Sequence, residues 1–155
     1  MSEILPAVQA LDQLHLPYRL FVHPQPPESL EQAARERGQE PGQVIRSILF
    51  RKGAGDFFLV LMAGPGQISW RALRNHLGVS RISLATEAEV LSVTGYAVGT
   101  VSPLGLSSPV RMLADGSVFQ NQEVSIGSGQ RGVAILLRSQ DLLTALGRIE
   151  TGSFA

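Results

Sequence analysis

Two runs, Val44-Ile45-Arg46-Ser47-Ile48-Leu49-Phe50 and Phe57-Phe58-Leu59-Val60-Leu61-Met62, constrain the fold of this chain more than any other stretch. Both are β-rich and almost continuous in apolar side chains. A strand with one wet face alternates, whereas a strand that is apolar throughout is covered on both faces. The segment between them, Arg51 to Asp56, contains two glycines and reads as a hairpin loop. The pair is therefore predicted to lie in a sheet interior. Arg46 interrupts it, on the face shared with Val44 and Ile48. Charge in such a place is rare unless it is paired or functional. If both faces are covered, Arg46 points into a cavity, where its guanidinium suits phosphate, carboxylate or carbonyl oxygens. The alternative is an Arg on the exposed face of an edge strand.

Around this pair the chain mixes helices and strands. Ile4, Leu5, Val8, Leu11 and Leu14 have helical spacing, which predicts a helix over 3–15. Tyr18 to Val22 reads as a short strand closed by His23-Pro24. Ser29 and Gln32 have capping-box spacing and open a helix that stops at Gly38. Ser69 caps a helix reaching Leu77, Arg81 to Leu84 is extended, and Thr86 to Glu89 opens a further helix ending before Gly95. Strands are expected at Val110 to Leu113, Val118 to Phe119, Glu123 to Ile126 and Gly132 to Leu137. Asp115-Gly116 is expected to be a hairpin turn. Ser139 is expected to cap a last helix ending at Gly147, and 148–155 to be a loose tail. Without regular βαβ repetition, the class is α+β with a mixed sheet.

Length and composition fit one globular domain over 1–155, with 44% apolar and 17% charged residues. The formal net charge is zero, so no global basic field points to nucleic acid. Twelve of the thirteen basic residues are Arg. There is no Cys, which excludes disulfides, thiolate metal sites and Cys nucleophiles. The first residues do not read as a signal peptide, and no apolar run approaches the roughly 20 residues that span a bilayer. A cytoplasmic location is expected.

The stretch Gly95-Tyr96-Ala97-Val98-Gly99-Thr100-Val101-Ser102-Pro103-Leu104-Gly105-Leu106 places glycine, proline and hydroxyls inside an apolar run. It reads either as a tight structural turn or as a binding-site wall made of main chain. Gly127-Ser128-Gly129-Gln130-Arg131-Gly132 joins two strands, so it is a hairpin turn or a second piece of backbone lining. No dinucleotide fingerprint is present there, since a strand follows. His15, His23 and His76 share no metal-ligand spacing, and only His23 is a candidate wall residue. No Gly-x-Ser-x-Gly elbow exists. Ser102 could bond substrate or water, but no His/Asp set accompanies it as a nucleophile. Arg71, Arg74, His76 and Arg81 form a modest basic patch, with Arg35, Arg37, Arg51, Lys52 and Arg131 as further members. They read as a solvated surface or as nucleic-acid backbone contacts.

The loop from Thr94 to Gly105 resembles the Gly-x-x-x-Pro signature of the YbaK/prolyl-tRNA synthetase-associated domain family, here Gly99 to Pro103. Gly129-Gln130-Arg131-Gly132 resembles the family's Gly-Lys-Arg-Gly turn, and Val44 to Leu49 its strand Val-x-Lys-Thr-Leu. The resemblance covers about residues 5–147. It implies a compact α+β fold with a mixed, partly barrel-like sheet surrounded by helices. It also implies trans-editing, the hydrolysis of the ester joining a wrong amino acid to tRNA, often prolyl-tRNA carrying Cys or Ala. In that family no metal, cofactor or protein nucleophile takes part; backbone groups hold the substrate while a terminal ribose hydroxyl helps activate water. Two positions depart from the pattern. The family's strand lysine is Arg46, which keeps the charge but cannot readily lose a proton. A family Asp is replaced by Ala134. The resulting expectation is an aminoacyl-tRNA deacylase with Arg46, Gly99, Ser102 and Pro103 at the reacting ester. Tyr18, His23, Met62, Thr100, Val101, Gly127 and Gly129 would bind substrate. Its partners would be mischarged aminoacyl-tRNA and an aminoacyl-tRNA synthetase. The alternative is a non-catalytic binding module for aminoacyl-tRNA, amino acid or nucleotide.

Overall fold

The computed structural model describes residues 5–155. It is α+β, with five α-helices and two sheets. The five-stranded sheet has the order β4 (Ser83–Leu84), β2 (Ile45–Arg51), β3 (Phe57–Ala63), β5 (Arg111–Asp115), β8 (Glu150–Gly152). The β2–β3 hairpin is antiparallel, with Arg46 opposite Met62, while β3–β5 and β5–β8 are parallel. The three-stranded sheet is antiparallel, in the order β1 (Arg19–Val22), β7 (Val133–Arg138), β6 (Glu123–Gly127). A single parallel bridge between Val44 and Ser125 joins the two sheets, so the described residues form no closed barrel.

The apolar hairpin is buried on both faces, as its composition requires. Leu59 and Leu61 turn with Ile45 and Leu49 toward the smaller sheet and meet Ile126 and Ile135. Helices α1 (Pro6–Gln13), α4 (Glu87–Thr94) and α5 (Ser139–Leu146) close this layer with Leu11, Val90 and Leu142. Phe58, Val60 and Met62 turn the other way, with Phe50, onto Leu73 of α3 (Trp70–Leu77). Helix α2 (Leu30–Arg37) is capped by the Ser29 hydroxyl on the Gln32 N–H and stops at Gly38 with φ 70°. The left-handed conformation there suits glycine.

Several local expectations are corrected. Helix α1 begins at Pro6, whose missing N–H costs nothing at a first turn. Residues 3 and 4 of the expected helix lie outside the described residues. Val118 and Phe119 belong to a 3₁₀ turn, Gly116–Phe119, because the Asp115 carboxylate caps the Ser117 N–H where a hairpin was expected. Ser139 occupies the first position of α5 and does not cap it with its side chain. The expected loose tail contains β8, and Phe154 beyond it is buried in the α3-side core. Local sequence shows no apolar run there. Pairing with β5, an Asp115 bond to the Phe154 N–H at 2.7 Å, and a bidentate Arg111–Glu150 pair at 2.6 and 2.7 Å order the segment. Among the described residues, no helix is long and apolar enough to cross a membrane.

The carboxyl-terminal strand therefore contributes to stability. Phe154→Ala should cost about 3–5 kcal/mol in denaturant unfolding, the usual range for emptying a buried aromatic site. Glu150 also predicts a pH dependence. Hydrogen bonds from Arg111, followed by His76, hold its carboxyl down at about 2. A group depressed on folding stabilises above its unfolded value and loses that contribution as pH falls toward the folded one. Melting temperature should fall between about pH 4.5 and pH 2, and that slope should be shallower in Glu150→Gln.

Candidate active site

A cavity of about 510 Å³ lies where the outer edge of β2 meets the hairpin of β6 and β7 and the glycine loop after α4. The edge is open for a definable reason. The Ala85 N–H donates to the Leu49 carbonyl at 3.1 Å, which directs Leu49's polar groups outward from β3. Alternation directs those of Ser47 the same way. Yet β4 pairs only with Phe50 and Arg51, and the bridge to Ser125 is at Val44. Between these two attachments the β2 main chain borders the cavity. The Ser47 hydroxyl is buried there without a partner.

The opposite wall is the loop between α4 and β5. Its start is fixed by the α4 cap at Gly95, φ 81°, and by Thr94, which accepts the Tyr96 N–H. The Tyr96 hydroxyl donates to the Leu104 carbonyl at 2.6 Å, and burial pushes its pKa up to about 12. The loop is then clamped onto the β6–β7 turn. The Gly129 N–H donates to the Thr100 carbonyl at 2.9 Å. At Gly127 a Cβ would stand 2.2 Å from the Val101 carbonyl, and at Gly129 it would stand 2.6 Å from the Tyr96 ring. Both glycines are required by close approach. Thr100 itself bonds to the Ala97 carbonyl through its N–H and hydroxyl. The N–H groups of Gly99 and Val101 make no hydrogen bond to the described residues, and both residues line the cavity. Gly99 has φ 87°.

Of the residues expected at the site, Arg46, His23, Gly99, Thr100, Val101 and Gly127 line this cavity. Gly129, Ser102 and Pro103 stand behind the wall instead. Ser102 is fully buried, with its hydroxyl accepting the Leu104 N–H. Met62 is in the α3-side core, and the Tyr18 hydroxyl donates to Asp12. Arg46 borders the cavity only from the β2 edge: strand alternation puts its side chain on the Met62 face, not pointing into the cavity as expected, with one nitrogen on the Gly66 carbonyl and Nε buried without a partner. Burial lowers its pKa, but a guanidinium remains charged. The α3 patch lies over the other face of the larger sheet, and there Trp70 meets Phe50 edge to face. Among the described residues, no group of three acidic, His or Cys side chains could hold a metal ion.

The sequence reading assigned no site role to Ser47, Ser128 or the apolar walls Ile45, Leu49, Val90 and Ile126. Arg37 was expected only as a member of the basic patch, a solvated surface or nucleic-acid backbone contacts. In the structure Arg37 lines the cavity and donates to His23 Nε2 at 3.0 Å and to the Ser125 hydroxyl at 2.9 Å. His23 Nδ1 meets Glu36 at 2.6 Å. Because Arg only donates, His23 Nε2 is the acceptor and Nδ1 carries the proton. Hydrogen bonds from Gln32 and His23 lower the Glu36 pKa. The signals available were Arg37 before the Gly38 stop and His23 before Pro24; only folding brings them together.

The model for the aminoacyl-tRNA editing domain matches residues 24–145. A proline–tRNA ligase from Trichlorobacter lovleyi is 27% identical over 79% of this chain and 20% of its own length. The multifunctional Ser/Thr-tRNA deacylase ProXp-y of Escherichia coli is 26% identical, over 73% of this chain and 70% of its own. The chain thus spans about a fifth or less of the ligases it matches. A protein described as a candidate trans-editing enzyme for prolyl tRNA synthetase has the same fold. Its TM-score is 0.85, at 24% identity, over 99% of this chain and 98% of its own.

The clamp makes a direct prediction. Gly127→Ala must displace the Val101 carbonyl, and overpacking of this kind costs about 1–3 kcal/mol. Thermal unfolding should register that loss, and amide exchange should rise at Gly129 and Thr100, whose N–H groups are hydrogen-bonded in the clamp.

Proposed function

The chain belongs to the aminoacyl-tRNA editing domain family, and on that footing we propose that its cavity hydrolyses the ester of mischarged tRNA, the chain acting in trans as one domain. The observation that carries this reading is the pair of unpartnered N–H groups at Gly99 and Val101, held in place by the clamp onto Gly129. Hydrolysis of an ester passes through an oxyanion, and preorganised main-chain donors stabilise that charge. Arg46 borders this cavity from the β2 edge; its side chain stands on the Met62 face with its guanidinium on the Gly66 carbonyl, and swung round the strand edge it would serve the ester carbonyl or the terminal phosphate. Ser47 supplies a hydroxyl and a main-chain edge for the ribose. Water is activated by a terminal ribose hydroxyl, the route that family resemblance suggests. The wall of Val44, Ile45, Val101 and Ile126 favours small aminoacyl groups by exclusion; Cys and Ala on tRNA(Pro) are the first candidates. A synthetase is the natural partner for such an activity.

A panel of tRNAs bearing different amino acids tests the reading. Wild type should deacylate at least one small aminoacyl ester. Gly99→Ala forces a side chain into a left-handed conformation and should lower kcat/KM about 10²-fold. Arg46→Ala should lose turnover while its far-ultraviolet circular dichroism is retained. Tight binding without hydrolysis across the panel would instead establish the non-catalytic module.

A further inference from the structure

We propose that a second cavity beside the ester site receives the penultimate nucleotide of the acceptor strand, with Arg131 holding the phosphodiester that joins it to the terminal adenosine. The inference rests on the proposed deacylase site and deepens it by extending the substrate contact past the terminal nucleoside.

The second cavity measures about 540 Å³ and shares Val98, Gly99 and Arg131 with the first, so the two adjoin along the glycine loop. Ala88 and Leu91, three residues apart on α4 and hence on one helix face, line it together with Ala97 and Val98. Leu91 is 56% exposed and Val98 43% exposed. Single exposed apolar side chains are ordinary on a protein surface, whereas a concave group of them fits a ligand with a flat apolar face.

Arg131 stands where the two cavities meet. A Cβ at Gly99 would lie 3.6 and 3.8 Å from its two terminal nitrogens, so the guanidinium rests against the Gly99 backbone. The side chain is exposed and makes no hydrogen bond or ion pair among the described residues. The other two arginines at the ester cavity are engaged, Arg46 on the Gly66 carbonyl and Arg37 on His23 and Ser125. Among the described residues, Arg131 is therefore the cavity arginine free to take an anion.

A phosphodiester is the anion that fits. An ester carbonyl on the Gly99 N–H belongs to one end of the terminal ribose, and the phosphate belongs to the other. Acceptors on that N–H and on a guanidinium packed against the same residue are neighbours along one wall, as these two groups of one nucleotide are. With Arg131 on the phosphate, Arg46 is left for the ester carbonyl. Past the phosphate the strand enters the second cavity. Glu87 there repels a further phosphate, while Ala88, Leu91 and Val98 cover the face of a base.

The test measures binding of three non-hydrolysable ligands to the full chain: 3′-alanylamido-adenosine, its 5′-phosphate, and the cytidylyl-(3′→5′) dinucleotide built on it. The 5′-phosphate should bind about tenfold more tightly than the nucleoside. The dinucleotide should gain about a further fivefold. Its log Kd should depend on log salt more steeply than the nucleoside's, by about 0.7 for one phosphate. Arg131→Gln should reduce the first gain to about twofold, and Leu91→Ser should do the same to the second, each with a cooperative melt. These preferences with no turnover on any ester would overturn the deacylase reading and leave this one standing. Either gain absent in wild type, or both gains unchanged in the folded variants, would overturn the inference even where mischarged tRNA is hydrolysed. Failure of all three ligands to bind would overturn both readings.

Discussion

The hydrogen bond from the Gly129 N–H to the Thr100 carbonyl, with the tight contact of Gly127 against Val101, is the constraint on which the cavity depends. Without it, two glycine-containing segments would be mobile surface loops. With it, each becomes a wall for the other. Thr100 spends its own N–H and hydroxyl on Ala97, and its carbonyl on Gly129, which leaves Gly99 and Val101 as the donors in reserve. Buried main-chain groups are nearly always paired. Gly99 is exposed and Val101 half-buried, so water can satisfy these two N–H groups at the cavity, where both face no protein acceptor among the described residues.

The second constraint is the open edge of β2. Pairing with β4 at Phe50 and Arg51, and the bridge at Val44, pin the strand at both ends and leave Ser47 between them. The same strand holds Arg46, whose Nε lacks a partner. The cavity thus has donors on one side and an unfilled strand edge on the other. Its polar corner is built differently, from side chains alone. His23, Glu36, Arg37 and Ser125 come from three segments, and each restricts the next, so a charged group is held at a defined angle.

Much of the architecture was legible in the sequence. Burial of the 44–50 and 57–62 hairpin on both faces followed from its continuous apolar character, and the helix stops at Gly38, Gly78 and Gly95 followed from glycine's access to positive φ. Family resemblance correctly supplied the α+β class and the editing family. Site membership was less legible. Met62 and Tyr18 have the right chemistry for a wall, but strand alternation turns Met62 into the α3-side core and Tyr18 reaches Asp12. Ser102 and Pro103 belong to the signature motif yet stand behind the cavity wall, where they shape the loop.

What the sequence by itself determined is what short-range physics controls: periodicity, caps, turns, and the requirement that an apolar strand pair be covered. What only the tertiary structure decided is which polar groups remain unsatisfied and where they point. The last residues lack an apolar pattern, yet they form a parallel strand because Arg111 and Asp115 supply distant partners. Arg37 reads as a surface charge because its partners are His23, fourteen positions away, and Ser125, eighty-eight away. Hydrogen bonding between side chains so far apart in sequence depends on how layers pack, and no local pattern encodes it.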